Sequence, residues 1–284
     1  MTSSVAGMVA AALVAWGLRR IGPGLLTEVG LVRPNYAGRP IPTSLGIWVY
    51  LAVLVGTGVQ HLASSCTGTG LSSDSWLTLA ALGAMTLLGL LDDLCSVAGC
   101  RHPKGLRGHF GYLWRGQVTT GSLKAAGGAV VALLAAAGWK RPAGVMLVDG
   151  LVVLLSTNLI NLLDTRPGRA GKAYLVGLAV LGLVAGRLSG SAFLVLAALV
   201  SMAPLDLSGR AMLGDAGSNL LGLSLGLTWL LAPLVARMAM AILLVALHLL
   251  AEFYSLGRFI EGNRWLYRLD RLGLIQFFPE RNCR

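Results

Sequence analysis

The chain has 284 residues, of which 55% are hydrophobic and 12% charged, with a mean hydropathy of +0.73 and a formal net charge of +11. Soluble domains carry about 25% charged residues, so a soluble enzyme and a disordered chain are both excluded. Nucleic-acid binding is excluded as well, because no basic domain stands apart from the apolar sequence. What remains is an all-α polytopic integral membrane bundle.

A spanning helix needs roughly 20 mostly apolar residues. About nine such runs follow one another, near 4–18, 44–62, 76–94, 121–138, 143–163, 172–186, 191–204, 217–236 and 238–256. The first has no basic stretch before it and no small-residue cleavage pattern after it, so it reads as a retained helix rather than a signal peptide. The 38 glycines fit a bundle whose helices approach closely through small residues. One membrane domain over 1–256 and a basic interfacial tail over 257–284 account for the whole sequence.

The basic residues set the orientation. With nine spans and the N-terminus outside, nineteen Lys and Arg fall on the inner side and four outside (Lys140, Arg141, Arg187 and Arg237). The positive-inside rule then places the C-terminus in the cytoplasm, and the plasma membrane is the expected location. Anionic lipid head groups or phosphorylated substrates are the partners such a face would take. Cys66, Cys95, Cys100 and Cys283 have no metal-ligand spacing and are expected to be free thiols.

The acids gather on the same side. LGLLDDLC at 88–95 puts Asp92 and Asp93 at a helix end, about 100° apart, so they serve two partners and not one chelate. Residues 104–124 mix cations with aromatics, and Lys104 and Lys124 are candidates for phosphate contact. In NLINLLD, Asn158, Asn161 and Asp164 share one helix face, an oxygen-rich stripe suited to Mg2+. In MLGDAGSNLLG, Gly214 allows a tight turn, Ser218 can cap, and the N–H groups of the following helix favour an anion beside Asp215. Each stretch also admits a structural account: acids marking the boundary, asparagines bonding between helices, or an ordinary helix start.

Taken in order, RPNYAGRPIPTSLG (33–46), GLLDD (89–93), NLINLLD (158–164) and LGDAGSNLLG (213–222) resemble the polyprenyl-phosphate sugar-1-phosphate transferase superfamily, which includes phospho-N-acetylmuramoyl-pentapeptide transferase. The resemblance implies Mg2+-dependent transfer of a sugar 1-phosphate from a nucleotide sugar, a UDP-N-acetylhexosamine, to undecaprenyl phosphate for cell-envelope polymer synthesis. It implies catalytic roles for Asp92, Asp93 and Asp164, metal binding by Asp215 and Asn161, and substrate contacts from Asn158, Lys104, Lys124, Gly214 and Ser218. A homodimer is compatible with it. Two departures stand out: DTRPGRA replaces a DG-x-DG-like turn, and in place of a His-rich loop there is only His248, paired with Glu252 one helical turn on. These motivate an alternative, a non-catalytic protein that binds polyprenyl phosphate or scaffolds an envelope complex.

Overall fold

The computed structural model describes residues 2–68, 73–100 and 120–274. Each of the nine apolar runs forms a helix: α1 Thr2–Glu28, α2 Gly46–Cys66, α3 Ser73–Val97, α4 Thr120–Ala137, α5 Ala143–Leu163, α6 Arg169–Ala185, α7 Gly190–Leu207, α8 Gly214–Trp229 and α9 Leu234–Phe253. Two short helices follow, α10 Leu256–Gly262 and α11 Arg264–Arg271. Between α1 and α2 lies an antiparallel ribbon, β1 Val32–Pro34 and β2 Pro40–Pro42, with Arg33 opposite Ile41.

Among the described residues six helices, α1, α2, α3, α5, α7 and α9, are long and apolar enough to cross a membrane. The expectation of about nine spans narrows accordingly. Helices α6 and α8 have 17 and 16 residues, or about 24–26 Å of rise against a hydrocarbon core near 30 Å. Helix α8 is shielded by protein, every residue from Ala216 to Trp229 being buried, so it needs neither lipid-matching length nor a greasy surface. Helix α1 passes its predicted end at Leu18 and continues through Pro23, because Gly22 and Leu26 pack into the bundle.

Helix α8 is the axis, and small residues let its neighbours reach its backbone. A Cβ on Gly222 would overlap Thr157 Cα of α5, and one on Gly89 of α3 would overlap the Asp215 carbonyl. A Cβ on Gly46 would overlap the main chain of Gly217. Side-chain hydrogen bonds join α8 to its other neighbours: Tyr174 Oη lies 2.9 Å from Ser224 Oγ, and Ser189 Oγ 2.9 Å from Thr228 Oγ1. The ribbon is latched to the segment before α8, where Met212 N–H donates to the Pro42 carbonyl at 2.8 Å and Leu45 N–H to the Met212 carbonyl at 3.1 Å.

At the far end of α5, Asp149 is fully buried between Arg141 (2.7 Å) and Arg237, the latter also donating to the Ala232 carbonyl at 3.1 Å. This closed ion cluster ties the starts of α5 and α9 together. Cys66, Cys95 and Cys100 are free thiols; Cys283 lies outside the described residues.

Gly46→Ala should destabilise the protein by about 1–3 kcal/mol through overpacking. Gly58→Ala, on the same helix with nothing within 4 Å of the added Cβ, should leave the thermal midpoint in detergent unchanged. Equal midpoints for the two variants would refute backbone packing at Gly46.

Candidate functional site

Helix α8 starts at a glycine that nothing else can replace. Gly214 has φ +67°, and a Cβ there would stand 2.5 Å from Asp93 Oδ2 and 2.8 Å from Thr43 Oγ1. The turn aims the first helical N–H groups at Asp93: Asp215 N–H donates to Oδ1 at 3.1 Å and Ala216 N–H to Oδ2 at 3.2 Å. Ser44 Oγ donates to Oδ2 at 2.7 Å from a backbone at φ +70°, which serine seldom adopts. Arg33 Nη1 lies 3.5 Å from Oδ1, and the carboxylate is 0% exposed.

These contacts bear on two expectations. The anion on the α8 N-terminus is the chain's own Asp93, so Gly214 shapes a cap in which the Asp215 and Ala216 N–H groups are engaged. Asp93, expected to act in catalysis, has both oxygens engaged and no exposure, and it holds α8 in place. Ser218 is buried as well, its Oγ 2.8 Å from the Asn161 amide.

Asp92 points elsewhere, as adjacent helical residues must. Lys124 Nζ sits 2.7 Å from Asp215 Oδ2 and 3.4 Å from Asp92 Oδ2, with the lysine 13% exposed and the acids 25% and 22%. In the amide orientation that gives each atom a complementary partner, Asn161 donates to Asp215 Oδ1 at 3.0 Å and accepts from Lys124 at 2.9 Å. Asn161 therefore positions Asp215 through its NH2 group, where an oxygen toward a cation was expected. Asn158, one turn earlier, is exposed and does not line the cavity described next. Lys104 lies outside the described residues.

A cavity of about 230 Å³ opens beside Asp215. Asp164, Asp206 and Asp215 line it, from the ends of α5 and α7 and the start of α8, and Arg33, Arg166 and Tyr36 complete the wall. Asn35 Nδ2 and Thr43 Oγ1, both buried and without hydrogen-bond partners among the described residues, belong to residues of the same lining. Burial, and then the carboxylates of Asp206, Asp215 and Asp93, push the Asp164 carboxyl well above the ordinary range, opposed by Arg33. Among the described residues no three His, Cys, Asp or Glu side chains cage a metal by themselves. That donor set fits Mg2+, which takes one or two carboxylates and fills its shell with water and substrate phosphate oxygens.

Sequence reasoning gave Asp206 no part in the site, noted Arg166 only within the departing DTRPGRA turn, and assigned no individual role to Arg33, Asn35, Thr43 or Ser44. All but Arg166 and Asp206 lie in the quoted RPNYAGRPIPTSLG stretch, whose irregular, proline-rich composition was the available signal. The cations of DTRPGRAGK turn to the tail. Arg169 makes a two-pronged contact with Asp270 (2.9 and 2.7 Å) and donates to Thr165 Oγ1 at 2.8 Å; Arg166 meets Glu261 at 2.9 Å and lies 4.9 Å over the Tyr36 ring. Lys172 Nζ donates to the Asp270 carbonyl. His248 and Glu252 do not form the expected pair: His248 Nδ1 donates to the Leu244 carbonyl at 2.7 Å and Glu252 is exposed.

The chain matches no protein-family model and no curated protein.

Two predictions follow from these contacts. Asp93→Ala should cost about 3–5 kcal/mol, since it uncovers buried donors and a guanidinium, whereas Asp92→Ala should cost about 0–1 kcal/mol; thermal unfolding in detergent compares them. Burial alone would raise the Asp270 carboxyl, but hydrogen bonds and charge from Arg169, with Lys172 and Arg166, hold it below the ordinary range. A depressed carboxyl stabilises above its unfolded value, near 3.9, and the stabilisation fades as pH falls through the folded value. Amide exchange across residues 256–271, normalised to intrinsic rates, should stay slow from pH 7 to 5 and rise only below about pH 4.

Proposed function

We propose that the chain is a Mg2+-dependent phosphoglycosyl transferase, moving a sugar 1-phosphate from a nucleotide sugar, a UDP-linked N-acetylhexosamine, to undecaprenyl phosphate. The observation that carries this reading is the convergence of Asp164, Asp206 and Asp215 on one cavity walled by Arg33 and Arg166 at the end of an apolar bundle. The ordered resemblance of four sequence stretches to the polyprenyl-phosphate transferases supports it. The reading takes nine crossings with the cavity on the cytoplasmic side of the plasma membrane, in line with the nineteen basic residues assigned there. A soluble donor and a membrane-embedded acceptor would meet at such a boundary.

Phosphoryl transfer between two anions is governed by positioning and charge neutralisation. Bound Mg2+, held by Asp215 with Asp164 or Asp206, would supply part of that neutralisation to the donor diphosphate. Arg33 and Arg166 present planar guanidinium groups to phosphate oxygens. Lys124, which neutralises Asp215 and Asp92 here, is placed to follow a phosphate oxygen once the site fills. An oxygen of the lipid phosphate attacks the phosphorus bearing the sugar. The bond from that phosphorus to the bridging oxygen breaks, and nucleoside monophosphate leaves with the electron pair. A phosphate nucleophile is already ionised near neutral pH, so no strong protein base is needed.

Purified protein given Mg2+, polyprenyl phosphate and a panel of nucleotide sugars should release nucleoside monophosphate with at least one donor. Asp215→Ala should lower that rate about 10²–10³-fold, the usual cost of losing one electrostatic stabiliser. Folded wild-type protein that releases nothing with any donor would overturn the reading.

A further inference from the structure

The hairpin of α10 and α11 is amphipathic in the opposite sense to a helix packed on a soluble core. Its polar side faces the protein: Asp270 and Glu261 meet Arg169 and Arg166, and a Cβ on Gly257 would lie 3.4 Å from Arg169 Nη1. Its apolar side faces away. Trp265 and Leu269, four residues apart on one helical stripe, and Leu272, which caps the end of α11, are 73%, 56% and 68% exposed. Arg264 and Arg268 flank that stripe and are exposed, with the Arg268 guanidinium 5.5 Å over the Trp265 ring.

The level of the hairpin is set by its neighbours. Helix α9 is of membrane-crossing length and ends at Phe253, just before α10. Asp270 docks on the first turn of α6, where that helix enters the bundle. The open stripe thus lies where helices leave the apolar zone, and aromatic and cationic side chains at that depth suit the head-group region.

We propose that α10–α11 is a lipid-binding strap: the Trp265–Leu269–Leu272 stripe inserts into the leaflet beside the cavity, and Arg264 and Arg268 select anionic phospholipid. Basic side chains near an anionic surface favour it by charge, whereas the apolar stripe alone would accept any lipid. Because Arg169 and Arg166 bind the other side of the strap, the cavity wall at 164–172 is fastened to the membrane surface. This inference is independent of the transfer chemistry.

The full-length protein in nanodiscs of acyl-brominated phosphatidylcholine, with or without brominated phosphatidylglycerol, tests it through tryptophan quenching. The quenched component missing in Trp265→Phe reports residue 265 alone. It should be present and should grow several-fold when phosphatidylglycerol is included. Arg264→Gln/Arg268→Gln, which leaves the Asp270–Arg169 contact intact, should abolish that growth. A Trp265 component that is absent from both discs, equal in both, or still sensitive to phosphatidylglycerol in the double variant would overturn the proposal.

Discussion

A single buried carboxylate organises the polar end of this bundle. Asp93 takes two main-chain N–H groups of α8, the Ser44 hydroxyl and the edge of the Arg33 guanidinium. Hydrogen bonds to an ion contribute about 1.5–3 kcal/mol each and so work against the cost of desolvating the carboxylate. Through them α3 grips the first turn of α8 and the segment leading into α2. Glycine at 46, 89 and 214 is what lets the three backbones come that close. The place of Asp215, one residue past Gly214, is a direct consequence.

The two ends of the molecule handle charge differently. Around Asp149 one carboxylate faces two guanidinium groups that also hold main-chain carbonyls, so the cluster is closed and needs nothing further. Around Asp215 the balance tips the other way. Lys124 serves two acids at once, and Asp164 and Asp206 line the adjoining cavity, where burial and then neighbouring carboxylates raise the cost of ionising Asp164. A closed cluster stabilises packing, whereas an acid-rich cavity with arginines at its wall supports the proposed binding of a cation and phosphates together.

The unusual DTRPGRA turn has a structural counterpart. Where the family it resembles carries a DG-x-DG-like turn, this chain places Arg166 and Arg169, and both bind acids of the C-terminal hairpin. The cations of this turn and the acidic residues of the tail thus belong to one arrangement. Asp164 still lines the cavity, while the rest of the turn is recruited to hold α10 and α11 in place.

Composition and the length of apolar runs were enough to determine a membrane protein, the location of the nine long helices among the described residues and the gathering of acids at one end, because those properties depend only on local chain chemistry. The divergence of Asp92 and Asp93 was legible for the same reason, since helical geometry separates adjacent side chains. Only the tertiary structure decided that Asp93 caps a helix more than a hundred positions away, that Lys124 bridges Asp92 and Asp215, and that the tail satisfies Arg169. It also decided that His248 turns to its own helix and leaves Glu252 to solvent. Such pairings follow from which helix surfaces meet, and here that is set by close approach at scattered glycines, a constraint that no periodicity within one helix can express.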